Sequence, residues 1–295
     1  MSLYHSIVIT GGGGMLGHAL ADLLISRGHA PVVLARGECD ITNPHHLEHI
    51  FRSPPTLFLN CAAHTKVDLC EEQRELADDI NGRAVGKIAE LCARYGTRLV
   101  HVSTDFVFDG AQRPPYRPYR PDDAVHAIQA YGQSKLLGET ELQRHAPRDW
   151  MIVRTAWVYG RHGANFPRTM VNAARQNKPL AVVADQVGSP THTADLADGI
   201  LALLDNGAKG IWHVTNSGQT NWLDFAQAAL AEFGLGNEIK PLTSEQWLKI
   251  KPNSAVRPPY TVLDTSGFER LVGRPMRSWQ DGLKDFAAAV KRDGF

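Results

Sequence analysis

Residues 6–17 read SIVITGGGGMLG: an apolar run, Ser6 to Thr10, passes directly into glycines at 11, 14 and 17, and a helical pattern runs on from Gly14 to Ser26. Strand, glycine turn and helix in that order have a physical use. A backbone without side chains can turn tightly and approach a pyrophosphate, while the free amides at a helix N-terminus stabilise its charge. A plain flexible turn also accounts for four successive glycines. The placement between strand and helix therefore says more than the spacing of Gly11, Gly14 and Gly17.

Outward from this point, short apolar runs alternate with longer stretches of helical period, as a parallel sheet with crossover helices does in sequence. Ser6 to Thr10, Pro31 to Ala35, Thr56 to Asn60, Arg98 to Ser103 and Trp150 to Arg154 predict five buried strands. Gly14 to Ser26, Asn43 to Phe51, Glu71 to Tyr95 and Gln129 to Arg144 predict the helices between them, Asn43-Pro44 serving as cap and first-turn proline. Beyond Thr155 the alternation fades into helices over Asn165 to Asn177, Thr193 to Leu204, Asn221 to Glu232, Ser244 to Ile250 and Ser278 to Lys291. The fold class expected is α/β, a Rossmann-type doubly wound parallel sheet with a smaller C-terminal lobe. Residues 1–155 with about 180–215 would form the dinucleotide-binding domain, about 156–179 and 216–275 the substrate-binding lobe, and 276–295 a C-terminal helix. The segment Pro114 to Pro121 reads as a rigid surface loop or a lid.

Composition excludes several classes. The 295 residues are 43% hydrophobic with a formal net charge of zero, which gives nucleic acid nothing basic to bind. No apolar run approaches the ~20 residues that span a bilayer, and Met1-Ser2-Leu3-Tyr4-His5 lacks the charged start of a secretory signal. A cytoplasmic protein without membrane partners is expected. The four cysteines are scattered without a C-x-x-C pair, and surface or cap positions are the default for the thirteen histidines, so neither a disulfide nor a metal site is expected.

Chemistry is concentrated at residues 130–136, AYGQSKL, where Tyr131 and Lys135 stand about one helical turn apart. A phenol titrates near pKa ~10, and a neighbouring ammonium favours its ionised form. Such a pair can handle a proton near neutral pH. Thr104, in Ser103-Thr104-Asp105, falls at the carboxyl end of the fourth strand, where side chains face the ligand crevice of an open parallel sheet.

Glycine loop, Thr104 and Tyr-x-x-x-Lys in this order resemble the extended short-chain dehydrogenase/reductase family. ITGGGGMLG, CDITN, NCAAHTKVDLCE, VSTDFVFDG, YGQSKLLGE, RTAWVYGRHGANF, ADQVGSPT and RPPYTVLD are similar to blocks of its dTDP-4-dehydrorhamnose reductase branch. Met15 departs from a frequent glutamine, and His64 and Phe106 depart from frequent tyrosines. The resemblance implies reduction of the 4-keto group of a nucleotide-linked 6-deoxy sugar, feeding cell-surface polysaccharide synthesis. It implies that the Gly14-Met15-Leu16 amides hold pyrophosphate, Asp40-Ile41 border adenine, and Ala63-His64-Thr65 line the nicotinamide side. Tyr131 would protonate the ketone oxygen, Lys135 would hold the ribose and lower the phenol pKa, and Thr104 would orient the group. Val67, Asp68, Thr104, Asp105 and Trp157 become candidates for the sugar and phosphates, with Arg257 for pyrophosphate or base. Monomer and homodimer both remain open.

Fold alone does not select the reaction, because the family also holds dehydratases and epimerases. A dehydratase of this kind carries Asp-Glu after the threonine, whereas Asp105 precedes Phe106. Asp105-Phe106-Val107 also lacks the added Cys or His base of an epimerase. A non-catalytic relative, resembling the regulatory subunit of methionine adenosyltransferase, is the other alternative, and intact Tyr131 and Lys135 argue against it.

Cofactor choice rests on the residues just past the second strand. An acidic residue there accepts from the ribose 2′-hydroxyl and repels a 2′-phosphate. Here Leu34-Ala35-Arg36-Gly37 offers a guanidinium, which pairs with phosphate and favours NADPH, while Glu38 nearby leaves NADH accepted as well. Arg36→Ala is expected to raise the KM for NADPH several-fold with little effect on NADH, narrowing the preference by roughly 1–3 kcal/mol. Steady-state kinetics with both cofactors checks this, and equal effects on the two would make Arg36 a solvated surface residue.

Overall fold

The computed structural model describes residues 4–112, 114–145 and 148–294; Met1, Ser2 and Leu3, and Phe295 of the expected C-terminal segment, lie outside the described residues. In the first half, β1 (Ile7–Thr10), α1 (Met15–Ser26), β2 (Val32–Leu34), α2 (Pro44–Ile50) and β3 (Leu57–Asn60) lead to α3 (Val67–Glu72), α4 (Arg74–Asp78) and α5 (Ala84–Tyr95). Then come β4 (Arg98–Thr104), α6 (Ala130–His145), β5 (Trp150–Thr155), β6 (Val158–Tyr159), α7 (Phe166–Arg175), β7 (Leu180–Val183), β8 (Val187–Gly188) and β9 (Thr191–His192). The chain ends with α8 (Thr193–Asp205), β10 (Gly210–His213), β11 (Thr220–Asn221), α9 (Trp222–Glu232), β12 (Ile239–Leu242), α10 (Ser244–Ile250), α11 (Ser266–Val272) and α12 (Trp279–Asp293).

Six strands form one parallel sheet in the order β2-β1-β3-β4-β5-β10. The chain steps from β1 to β2 on one side and returns to β3 on the other, which opens a crevice at the carboxyl ends of β1 and β3. Both sheet faces are covered. Ile7, Ile9, Leu57, Leu59, Val100 and Val153 pack under α1 and α8, whereas Val8, Phe58, Leu99 and Ile152 pack under α2 and α5. Burial on two faces is why these strands read as unbroken apolar runs.

Two expectations are corrected. The segment Glu71 to Tyr95 is not one helix: Gln73 leaves helical geometry (φ −116°, ψ 47°), and a five-residue π turn, Asp79–Arg83, precedes α5. The wider turn brings Asn81 inward, where its side chain bonds the His64 backbone and Ser134. Tertiary contacts thus override a helical pattern. The second strand is shorter than expected and lies at the sheet edge, with Val32 52% exposed.

The later elements make smaller layers. β7 pairs in parallel with β12, and Leu180, Val182 and Ile239 pack on Val171 of α7 and Ala226 and Leu230 of α9. Phe286 and Val290 of α12 join Phe225 and Ala229 of α9. Among the described residues no helix is long and apolar enough to cross a membrane.

Helix α6 lies against the π turn so closely that a methyl at Gly138 would overlap the Asn81 carbonyl oxygen. Gly138→Ala is therefore expected to destabilise the fold by ~1–3 kcal/mol, read as a lowered urea midpoint. An unchanged midpoint would mean that the two backbones are not in contact.

Candidate active site

The glycine loop makes the crevice floor. Gly11 adopts φ +71°, and a Cβ there would stand 2.5 Å from the Ala62 nitrogen beyond β3. A methyl at Gly17 would overlap the Gly11 carbonyl oxygen, so the first turn of α1 sits directly on the loop. Gly14 caps α1 through its backbone, with no side-chain cap and no acidic residue in the first turn. The amides of Met15 and Leu16 at its start are then open to an anion, and the cradle fits a pyrophosphate.

Around this floor, Arg36 is exposed just past β2, while the Glu38 carboxylate accepts from the Ala35 amide (2.8 Å). Asp40 accepts from the Thr42 hydroxyl (2.7 Å) and amide (3.0 Å), which hold its pKa below the ordinary value, and Ile41 is buried beside it. Ala63, His64 and Thr65 come after β3. Asn81 clamps the His64 backbone from both sides, accepting from its amide (2.8 Å) and donating to its carbonyl (3.0 Å). His64 Nε2 is buried without a hydrogen-bond partner among the described residues, a donor or acceptor left for something in the crevice.

Tyr131 stands in the first turn of α6. Glu71 accepts from the Ala130 amide (2.8 Å) and Gln129 from the Gly132 amide (2.6 Å), so two side chains cap the helix. A methyl at Gly132 would overlap the Phe106 carbonyl oxygen. That contact sets the phenol ring edge-to-face with Phe106, centroids 6.2 Å apart, beside Thr104 and Asp105. Burial, and then the Asp105 carboxylate, push the phenol above its ordinary pKa of 10, with the Thr104 hydroxyl opposing.

Lys135 is buried (1% exposed) and its Nζ turns to β4, donating to the Val102 carbonyl (2.7 Å) and meeting His101 Nε2 (3.1 Å). Burial of the phenol outweighs the lowering expected from Lys135, whose amine is committed to the strand. Burial also pushes Lys135 itself down to about 8, against the pull of Glu139 and Cys61. Asp105, 3% exposed, accepts from Thr104 (3.1 Å) and Thr261 (2.5 Å), yet burial carries its pKa up to about 7.

The remaining candidates divide into two groups. Asp68 and Arg257, read separately in the sequence, meet as an ion pair at 2.9 Å, with Val67 half-buried at the start of the same helix. Trp157 adopts φ +47°, stacks on Trp222 with centroids 3.6 Å apart, and presses on Gly188, where a Cβ would lie 2.5 Å from its ring. Strain of this kind collects at ligand sites. Sequence reading missed Asn81, His101, Trp222 and Thr261. An asparagine before a glycine inside a helical run was the available signal for Asn81; Thr261 lies within the block RPPYTVLD, and nothing local marked the other two.

The family model described as RmlD substrate binding domain matches residues 5–292. The dTDP-4-dehydrorhamnose reductase of Mycolicibacterium smegmatis is 39% identical over 96% of this chain and 85% of its own length. The chain belongs to the dTDP-4-dehydrorhamnose reductase family. Two crystal structures from that reductase family superpose closely. The Clostridium acetobutylicum protein (TM-score 0.90, 35% identity) covers 97% of this chain and 99% of its own. The Bacillus anthracis protein in complex with NADP (TM-score 0.87, 33% identity) covers 97% of this chain and 98% of its own.

Asp105 gives the site a pH signature. Unfolded, it releases its proton near 3.8; folded, near about 7, so between those values the folded chain holds a proton the unfolded chain has lost. Its contribution to stability is full below the lower value and is lost as pH rises through about 7. Asp105→Asn should therefore gain on the parent, between pH 5 and pH 8, by on the order of 2 kcal/mol in unfolding free energy. Urea titrations at both pH values check this; a difference independent of pH would place the Asp105 pKa near its ordinary value.

Proposed function

We propose that this chain is an NADPH-dependent reductase of the 4-keto group of a nucleotide-linked 6-deoxy sugar, with dTDP-4-dehydro-L-rhamnose reduced to dTDP-L-rhamnose. The observation that carries the reading is the half-buried phenol of Tyr131 set beside Thr104 and Asp105 at the carboxyl end of β4. The relatives' names and the NADP bound by the Bacillus anthracis protein support it.

In this reading NADPH supplies the hydride that reaches the sugar carbon. Gly14, Met15 and Leu16 hold its pyrophosphate, Arg36 its 2′-phosphate, Asp40 and Ile41 border the adenine, and Ala63 to Thr65 line the nicotinamide. Tyr131 carries its proton at neutral pH, as a donor must, and gives it to the ketone oxygen as negative charge grows there. Thr104 orients that oxygen and the phenol, and Lys135 holds the ribose. Trp157 supplies a flat apolar face for the sugar, while Val67, Asp68 and Arg257 close the nucleotide end. The sheet-bearing part of the chain serves the cofactor, and the layers built on α7, α9 and β12 serve the substrate.

A panel of dTDP-, GDP- and UDP-linked 4-keto-6-deoxy sugars tests the reading. NADPH oxidation is expected with the dTDP sugar above the others, and none with any sugar would overturn it. Tyr131→Phe should lower kcat by roughly 10²-fold or more while the NADPH Kd stays within a few-fold. Turnover near that of the parent would remove Tyr131 from proton transfer.

A further inference from the structure

One buried row of polar groups has no part in the hydride and proton transfers assigned to the crevice. Thr10 of β1, Asn60 of β3 and His101 of β4 are register partners across three strands, and Lys135 of α6 closes the row. Thr10 Oγ1 donates to Asn60 Oδ1 (2.9 Å), Asn60 Nδ2 meets His101 Nδ1 (3.1 Å), and His101 Nε2 meets Lys135 Nζ (3.1 Å). All four residues are buried.

The direction of each bond is set by the groups that can only donate. The Ala62 amide points at Asn60 Oδ1 (3.2 Å), so turning the Asn60 side chain over would set N–H against N–H. Asn60 therefore presents its NH2 to the ring, and His101 Nδ1 accepts. Burial pushes the His101 pKa well below its ordinary value, so the ring is neutral. A neutral imidazole that accepts at Nδ1 carries its proton on Nε2, the atom facing Lys135. An ammonium there would oppose donor to donor. A neutral amine offers its lone pair to His101 and still donates to the Val102 carbonyl (2.7 Å).

We propose that His101, fixed by Asn60 in its Nε2–H tautomer, is a positioning residue that holds Lys135 as a neutral amine by donating to its nitrogen, and that NADPH binding draws a proton onto the lysine. The proton comes from solvent, converts –NH2 to –NH3⁺, and breaks the His101 contact so that Nζ turns its donors to the ribose hydroxyls. The other titratable groups acting on Lys135 are Glu139 on the same helix and Cys61 beyond β3; Glu139 is occupied by Arg154 (2.7 Å) and Ser103 (2.5 Å). The proposal rests on the reductase reading for the identity of the cofactor.

Solution NMR of the full chain carrying ¹⁵N-labelled histidine reads the tautomer in the parent protein. The expected signature is a protonated Nε2 and a bare Nδ1 at His101, and a protonated Nδ1 would overturn the proposal. NADPH dissociation constants from pH 6 upward, which need no sugar, give the second arm: burial alone leaves Lys135 titrating at about 8 and the His101 bond takes it lower, so affinity should already fall towards tenfold per pH unit between pH 7 and pH 8, and a fall that begins only above about 8 would overturn the proposal. Asn60→Asp accepts from Nδ1–H and frees Nε2 to accept from an ammonium, so the onset of that fall should move up by about one pH unit or more. In a His101→Phe background the same substitution should move it by less than half as much. Equal shifts with and without the imidazole, or no shift, would leave His101 a structural residue only. Should Asn60→Asp fail to fold, the labelled parent decides. Failure of the reductase reading would show instead as an absence of turnover or of NADPH binding, with the tautomer unaffected.

Discussion

The buried line from Thr10 through Asn60 and His101 to Lys135 ties the carboxyl ends of β1 and β3 and the middle of β4 to the helix that carries the phenol. Thr10, Asn60 and His101 each sit where an apolar side chain would otherwise continue the face formed by Val8, Phe58 and Leu99. An unsatisfied polar group in such a place costs ~1–3 kcal/mol, so a strand slipped by one residue would both strand these groups and reverse its apolar faces. Register at the crevice is therefore fixed by polar bonds as well as by packing. The position of Lys135, one turn beyond Tyr131, depends on it.

Close backbone approach fixes the rest of the crevice. Gly11 against Ala62, Gly132 against Phe106 and Gly138 against Asn81 bring loop, turn and helix within distances that a side chain would forbid. Beneath α6, the buried pair of Glu139 and Arg154, joined by Ser103, anchors the helix to β4 and β5. Against these rigid supports the structure holds features that cost stability: a buried carboxyl at Asp105 and a left-handed backbone at Trp157. The second costs on the order of 1–3 kcal/mol and is sustained by the Trp222 stack and the bare face of Gly188.

The strands, the glycine turn and the Tyr131/Lys135 pair were legible because local patterns specify them: two-sided apolar runs, a backbone that must lack Cβ atoms, and helical spacing. The break in the segment Glu71 to Tyr95 was not, since Asn81-Gly82 is a weak local sign inside a helical pattern and contacts with His64 and Ser134 are what reward the π turn. Nor was β10, whose short run Gly210–His213 is recognised as a strand only by its pairing with β5. The direction in which Lys135 points was hidden for a similar reason. Sequence spacing puts two side chains on one helix face, but the partner across the interface, His101, decides where the amine points. Likewise the setting of the Asp105 carboxyl involves Thr261, 156 residues away in the chain.

The central claim is that the crevice directs hydride to one carbonyl carbon of a nucleotide sugar while Tyr131 supplies the proton. Turnover of dTDP-4-dehydro-L-rhamnose with NADPH carrying deuterium at both nicotinamide C4 positions tests it most directly. The account predicts one deuterium in the product, bonded to sugar C4, with the hydroxyl proton coming from solvent. Deuterium at another carbon, or a sugar product without it, would contradict the account.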